Sequence, residues 1–274
     1  MKILVTGHKG YIGSHLYNEL KNTTEHDVIG IDLKDGDDIL YCLPDEDFDT
    51  VFHFSAFPRV EYSVLNPYYT FRQNALVTSY LLDWSINHNV DKFIFSSSSA
   101  IEGDGDGVPK SPYGLHKLIS EMECKLYRDL YGLKTTCLRY FNAYSEDQPY
   151  GGAYTTAISA WMEMIRQGKP LRIDGDGEQT RDFVHVNDIV SANILAMNND
   201  LSDDYYNVGC GVSYSMNYVK DYIDKHLNVE WEHAPERVGD ARCTLADNKT
   251  LIAAGWKPTI DLDTGLVKCF KQKL

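Results

Sequence analysis

The chain has 274 residues, 43% of them hydrophobic and 12% aromatic, so it can bury a sizeable core and is not a small module stapled by disulfides. Its formal net charge of −14 argues against nucleic acid as a general partner, because phosphate binding needs clustered lysine and arginine. No apolar run approaches the roughly 20 residues of a membrane helix, and Met1 leads into Ile3-Leu4-Val5 without the stretches of a secretory signal, so a soluble, cytoplasmic protein is expected. The six cysteines (Cys42, Cys124, Cys137, Cys210, Cys243, Cys269) are scattered, with no spacing that suggests a metal knuckle or redox pair, and read as reduced thiols; no metal is expected.

In chain order, apolar β-rich runs at 2 to 6, 27 to 31, 50 to 54, 91 to 96 and 134 to 139 alternate with helical patterns at 11 to 22, 68 to 88 and 111 to 131. Such alternation predicts an α/β fold with a Rossmann-like, doubly wound parallel sheet. The stretch 33 to 49 is short and acidic, so the crossover between the second and third strands should be abbreviated. Beyond about residue 142 the rhythm loosens. A helix is expected at 155 to 167, a turn at Asp174-Gly175-Asp176-Gly177, a strand at 182 to 184 and a helix capped near Asn187 or Asp188. Strands at 205 to 208 and 229 to 232, and helices at 215 to 227 and 263 to 273, complete the pattern. Residues 1 to 142 then form a dinucleotide-binding domain to which parts of 180 to 210 return. Residues 143 to 274 form mainly a smaller α/β substrate lobe, with the ligand in the cleft between.

Three segments carry chemistry. Thr6-Gly7-His8-Lys9-Gly10-Tyr11-Ile12-Gly13 joins the first strand to the first helix, where glycines at 7, 10 and 13 permit a tight turn, close approach of a pyrophosphate and close helix packing. Asp32, at the end of the second strand, can accept both hydroxyls of an adenosine ribose and repels a 2′-phosphate, which favours NAD over NADP. Asp38 and Ile39 either line the adenine or form a solvated turn. Phe95-Ser96-Ser97-Ser98-Ser99-Ala100 ends the fourth strand at the ligand-facing edge, so at least one serine should face the site. In Ser111-Pro112-Tyr113-Gly114-Leu115-His116-Lys117, a serine cap and a proline at the first helical position place Tyr113 and Lys117 one turn apart on the same face. A lysine ammonium and a helix N-terminus both favour phenolate, so Tyr113 is expected to titrate below the usual ~10 and to act as a general base. A redox enzyme follows from this pair behind a glycine-rich opening.

These segments, together with Leu138-Arg139-Tyr140-Phe141-Asn142, the run from Gly175 to Val186 (GDGEQTRDFVHV) and Arg237-Val238-Gly239-Asp240, resemble the extended short-chain dehydrogenase/reductase family, specifically its NAD-dependent nucleotide-sugar epimerases and dehydratases. The resemblance runs over almost the whole chain. It implies Ser98, Tyr113 and Lys117 as the catalytic set. It implies cofactor contacts from Gly7, Gly10, Tyr11, Ile12, Gly13, Asp32, Leu33, Asp38, Ile39, Phe54, Ser55, Ala56, Asn74, Ser96, Tyr113, Lys117 and Tyr140. On the substrate side it implies Ser98, Asn142 near the diphosphate, Arg181 and Arg237 on its oxygens, Asp240 near the nucleoside ribose, and Thr244 beside the sugar 2-substituent. Guanidinium forks suit phosphate oxygens, which agrees with the two arginines.

The implied reaction is epimerisation of a nucleotide-diphospho-sugar, most simply a UDP-hexose or UDP-N-acetylhexosamine, at C4 through a transient keto sugar. The alternatives are a 4,6-dehydratase, a keto-sugar reductase and a non-catalytic NAD-binding regulator. Dehydratases of the family carry an Asp-Glu pair directly after the catalytic Ser/Thr, where this chain has Ser99 and Ala100. Two departures keep dehydration open: Glu102 replaces a usual tyrosine, and the loop 103 to 110 is short. The helical patterns 67 to 87 and 111 to 131 correspond to the family's four-helix dimer interface, which implies a homodimer.

Overall fold

The computed structural model describes residues 1–151, 155–236 and 241–270. Strand β1 (Lys2–Thr6) turns through the glycines into helix α1 (Tyr11–Thr23) and returns as β2 (Asp27–Ile31). In the acidic stretch that follows there are only a 3₁₀ turn (Leu33–Asp35) and the four-residue helix α2 (Ile39–Cys42) before β3 (Thr50–His53), so the crossover is indeed trimmed. Helices α3 (Val60–Leu65) and α4 (Pro67–Phe71), a π turn (Arg72–Leu76) and α5 (Val77–Asn87) lead to β4 (Lys92–Ser98). A 3₁₀ turn (Ser99–Ile101), α6 (Pro112–Tyr131) and β5 (Lys134–Tyr140) follow.

The second half contains β6 (Asn142–Tyr144), α7 (Ala157–Gln167), β7 (Leu171–Asp174), β8 (Thr180–His185), α8 (Val186–Asn198), β9 (Tyr205–Val208), β10 (Ser213–Ser215), α9 (Met216–His226), β11 (Trp231–Ala234), α10 (Lys249–Ala253) and α11 (Leu262–Phe270). The main sheet has the order β2-β1-β3-β4-β5-β9, with every pairing parallel. Two small sheets, β10-β8-β6 and β11-β7, are built from strands of the second half, three of which precede β9 in the chain. The chain leaves β1 first to one side and then to the other, and this reversal between β1 and β3 opens the crevice in which such sheets bind ligands.

Alternation along β1 explains the layers. Ile3 and Val5 enter a core with Leu16 and Leu20 of α1 and Ile189 and Ala192 of α8, whereas Leu4 enters an opposite core with Leu81, Leu82, Phe93 and Cys124. Both faces are covered, which is why the strands read as unbroken apolar runs. A third core, around Trp161, Tyr144, Ile173 and Leu266, supports the small sheets.

Several boundaries differ from expectation. The helical stretch through 67 to 87 contains the π turn, and α8 is capped by His185, whose Nδ1 accepts from Asn187 N at 3.2 Å, rather than by Asn187 or Asp188. Strand β11 begins two residues later than the apolar pattern at 229 suggests, because its register is set by pairing Trp231 with Leu171. Helix α6 follows the expected design: Ser111 Oγ accepts from Gly114 N at 3.2 Å, and Gly132, at φ 74°, closes it. All six cysteines are free. No helix among the described residues is long and apolar enough to cross a membrane.

Candidate active site

Gly7 leaves β1 at φ 73° and donates its N–H to Ile31 O at 2.7 Å. A Cβ there would lie 2.7 Å from Ser55 N and 2.9 Å from the carbonyl carbon of Phe54, so the turn rests directly on the exit of β3. At Gly13 a Cβ would lie 2.3 Å from Gly7 O, which locks helix to turn. Helix α1 starts at Gly10 without a side-chain cap and without an acidic residue in its first turn, whereas Ser111 and Ser215 cap α6 and α9. An uncapped N-terminus behind a glycine turn offers N–H groups and a positive dipole end to an anion.

Asp32 closes the other side. Its Oδ2 accepts from Lys9 N and its Oδ1 from Lys34 N, both at 2.9 Å, and each oxygen retains a lone pair for a ribose hydroxyl. Leu33 beside it is exposed, and Asp38 caps α2 by accepting from Leu40 N at 3.0 Å, 3.5 Å from Arg72. Ile39 packs in the core with Ile31, which removes the solvated-turn reading of that position. These residues fit a dinucleotide: a cradle that a Cβ would fill, a free helix end and a carboxylate at the ribose position.

Behind the crevice, Phe54 stacks between Phe52 and Tyr140 with ring centroids 6.4 Å apart on either side. Tyr140 OH bonds Ser96 Oγ at 3.2 Å and donates to Asn193 at 3.0 Å. Asn74 faces the loop after β3, accepting from Phe57 N at 2.6 Å and donating to Phe57 O at 3.1 Å; Ser55 and Ala56 lie in that loop.

At the floor Tyr113 stands one turn of α6 before Lys117, and its hydroxyl is turned to Ser98, which offers it a hydrogen bond. Lys117 is buried, donates to Ser96 O at 2.6 Å and sits 4.6 Å above the centre of the Phe95 ring. The phenol is not acidified as its neighbours in sequence suggest. Burial pushes Tyr113 up to about 12, with the Ser98 hydrogen bond opposing, and burial also lowers Lys117 to about 8, with Glu121 opposing. Desolvation outweighs the charge and dipole terms because both groups are enclosed in the protein.

A cavity of about 1040 Å³ opens over this floor, lined by Tyr11, Ile12, Ser98, Ser99, Ala100, Tyr113, Tyr140, Asn142, Arg172, Arg181 and Thr244 among others. Asn142 Nδ2 donates to Thr244 Oγ1 at 2.9 Å and to Asp182 O at 3.1 Å, joining two of the expected substrate residues. Arg181 is buried and donates to Thr180 O at 2.8 Å, which fixes its guanidinium at the wall. Arg237 and Asp240 fall outside the described residues.

The model of the family described as NAD dependent epimerase/dehydratase matches residues 3–209 of the chain. The chain belongs to that family. It is 33% identical to a putative UDP-glucose 4-epimerase of Methanocaldococcus jannaschii, over 96% of this chain and 95% of that protein. Its fold matches a UDP-N-acetylglucosamine 4-epimerase from Methanobrevibacter ruminantium with a TM-score of 0.88 at 30% identity, over 100% and 99% of the two chains. It also matches a UDP-glucuronic acid 4-epimerase from Bacillus cereus, solved with UDP-glucuronic acid and NAD, with a TM-score of 0.88 at 29% identity over the whole of both chains.

Within this epimerase/dehydratase family the unusual Glu102 has a clear position. Its carboxylate pairs with Arg139 NH1, while Glu121 takes Nε at 2.9 Å and NH2 at 2.7 Å of the same guanidinium, which lies 3.4 Å from the centre of the Tyr205 ring. Glu102 is therefore spent on anchoring the short loop to β5 and lines no part of the cavity. With Ser99 and Ala100 on the cavity wall, no carboxylate stands at the two positions after Ser98, and dehydration is not favoured.

Sequence reading missed the groups that hold this floor in place. Ser97 Oγ donates to Glu121 at 2.5 Å, Ser63 Oγ accepts from Tyr113 N at 3.1 Å, and Thr6, His53 and Thr78 form a buried chain. The i, i+4 spacing of Lys117 and Glu121 was a visible signal for the first of these. The others are contacts between segments far apart in sequence.

Proposed function

We propose that this protein is an NAD-dependent 4-epimerase of a UDP-sugar, with Tyr113 as base, Ser98 as its hydrogen-bond partner and Lys117 as the cation behind them. The observation that supports it most is Tyr113 and Ser98 together on a large cavity, with Lys117 buried one turn of α6 beyond Tyr113, no carboxylate at 99 or 100, and the Glu102 carboxylate turned away to Arg139. The cofactor would be held by the Gly7, Gly10 and Gly13 turn, Asp32 and Lys117. When bound, NAD supplies reversible hydride acceptance and the positive charge of its oxidised ring.

The chain's own residues handle the proton. Tyr113 takes it from the sugar 4-hydroxyl at its phenolic oxygen, with Ser98 hydrogen-bonded to that oxygen, and returns it to the same position once the sugar's other face is presented. Lys117, fixed by Ser96 O and lying over Phe95, supplies charge that favours phenolate. Arg181, Asn142 and, outside the described residues, Arg237 hold the diphosphate, and Asp240 the nucleoside ribose. The cavity leaves room for the sugar to turn over. Incubation with a panel of nucleotide sugars, with products read by NMR, tests this: interconversion at C4 without added reductant is expected, and a 4-keto-6-deoxy product or dependence on added NADPH would overturn it.

Thr244 is small, and its hydroxyl is turned to Asn142 and Asp182 N, the latter at 3.3 Å, so the wall beside the sugar's 2-substituent is open. Both UDP-glucose and UDP-N-acetylglucosamine should turn over; complete rejection of the acetylated sugar in a kinetic comparison would refute this reading of Thr244.

The protein is further proposed to act in the cytoplasm as a homodimer. Leu76 and Tyr80, on the π turn and α5, and Met122, Leu126 and Leu130 on α6 are exposed, with Leu130 at 64%. The helices pack on one another and leave this apolar strip uncovered, as a self-complementary four-helix contact requires. Light scattering should give twice the chain mass, and Leu126→Glu, which places two charges in such an interface, should give the monomer. A monomeric wild type would remove the proposal.

A further inference from the structure

The buried chain through His53 has a direction that the geometry determines. Thr78 Oγ1 lies 2.6 Å from Asn74 O, a carbonyl that can only accept, so the Thr78 hydroxyl donates there. Its oxygen is then the acceptor for His53 Nε2 at 3.0 Å, which puts the imidazole proton on Nε2. In a neutral ring Nδ1 is left as an acceptor, and Thr6 Oγ1 donates to it at 2.7 Å while itself receiving Ser55 N at 3.4 Å. Thr6, His53 and Thr78 are wholly buried, and burial together with the charge of Lys117 pushes the imidazole down to about 3, so the direction holds over the working pH range.

Each end of this chain grips the segment after β3. At one end Ser55 N meets Thr6, beside the point where Gly7 touches β3; at the other, Asn74, whose carbonyl ends the relay, clamps both backbone groups of Phe57. Three residues beyond Phe57 begins α3, where Ser63 Oγ donates to Val60 O at 2.6 Å and accepts the N–H of Tyr113 at 3.1 Å. The glycine turn, the loop and the first turn of α6 are thus joined through side chains that touch no part of the cavity.

We infer that His53, held as the Nε2–H tautomer between Thr6 and Thr78, is a positioning residue that fixes segment 54–63 and, through Ser63, the placement of Tyr113 relative to the dinucleotide turn. It has no proton-transfer role. Its effect is on the geometry in which Tyr113 meets the substrate, and an error of about 1 Å in such geometry can cost about 100-fold in rate.

The kinetic part of the test rests on the epimerase reading above. Thr78→Val removes the hydroxyl at nearly constant volume and should lower kcat by roughly tenfold to 100-fold with little change in KM for the nucleotide sugar, while Thr78→Ser should recover most of the loss. Wild-type kcat in Thr78→Val, equal loss in both variants, or a loss confined to KM would overturn the inference. Nitrogen NMR of His53 in the unmodified protein is independent of activity and of how the variants fold. A proton on Nε2 from pH 5 to 9 is expected, and a proton on Nδ1 or an imidazolium at pH 6 would refute the relay. A wild type inert on every nucleotide sugar would overturn the functional reading, leaving the tautomer measurement to decide the relay by itself.

Discussion

Tyr113→Phe should lower kcat by about 10² to 10⁴-fold while leaving the melting temperature and the bound cofactor nearly unchanged. The substitution deletes one oxygen. The backbone N–H of Tyr113 still donates to Ser63, Ser111 still caps α6, and the ring still fills its buried site, so the fold loses only the hydroxyl's bond to Ser98. The lost atom is the one proposed to carry the proton. A base must be ionised to act, and burial holds this phenol up to about 12 in the protein alone, so its active form increases with pH and kcat should rise on the acid side of the profile. Lys117 titrates in the opposite sense: its ammonium, lowered to about 8, is present below that pH and is lost above it, so its support for phenolate fades on the alkaline side. The wild-type profile should therefore rise and then flatten or fall, and the residual rate of Tyr113→Phe should lack the rising limb. Wild-type kcat in the variant, or an unchanged pH profile, would sink the assignment of Tyr113 as base.

The error in the expected acidity of Tyr113 shows where sequence reading stops. Spacing places Tyr113 in the first turn of α6 with Lys117 one turn on, and both are where they were expected. How much water reaches them is decided by Phe95, Ser63 and the walls of the crevice, which come from elsewhere in the chain. The main strands were legible because a parallel sheet covered on both faces leaves long apolar runs, and the glycine turn because three glycines at a strand-to-helix junction satisfy a close approach that few other residues permit. Three-residue strands such as β6 and β10 leave no period to detect, and they exist only by pairing with β8. The departure at Glu102 could be seen but not interpreted, since its partner Arg139 lies on β5, thirty-seven positions on. Polar residues such as Asn74, Thr78 and His53 carry no sequence signal of their own. They are legible only once the sheet register sets His53 beside Phe95 and the π turn brings Asn74 over Phe57.

Gly7→Val should destabilise the protein and strip it of NAD together, and a matched substitution separates the two causes. Gly7 and Gly132 have nearly the same backbone, at φ 73° and 74°, so a β-branched residue at either site meets similar left-handed strain, about 1–2 kcal/mol. They differ in surroundings. A Cβ at Gly132 has nothing within 4 Å, whereas at Gly7 it would meet Ser55 N at 2.7 Å and the Phe54 carbonyl carbon at 2.9 Å, backbone atoms that cannot swing aside. Forcing them apart adds an overpacking cost of about 1–3 kcal/mol, so Gly7→Val should lose about 2–5 kcal/mol. For a chain of this size that corresponds to roughly 5–15 °C in melting temperature, against a few degrees for Gly132→Val. The functional consequence should differ even more sharply. Separating the turn from the exit of β3 moves the α1 N-terminus away from Phe54 and Ser55 and opens the cradle, so nucleotide released on denaturation should fall to a small fraction of the wild-type amount for Gly7→Val and stay at wild-type stoichiometry for Gly132→Val. Equal nucleotide content in the two variants would mean that the close approach at Gly7 serves the fold alone and that the cofactor is held elsewhere.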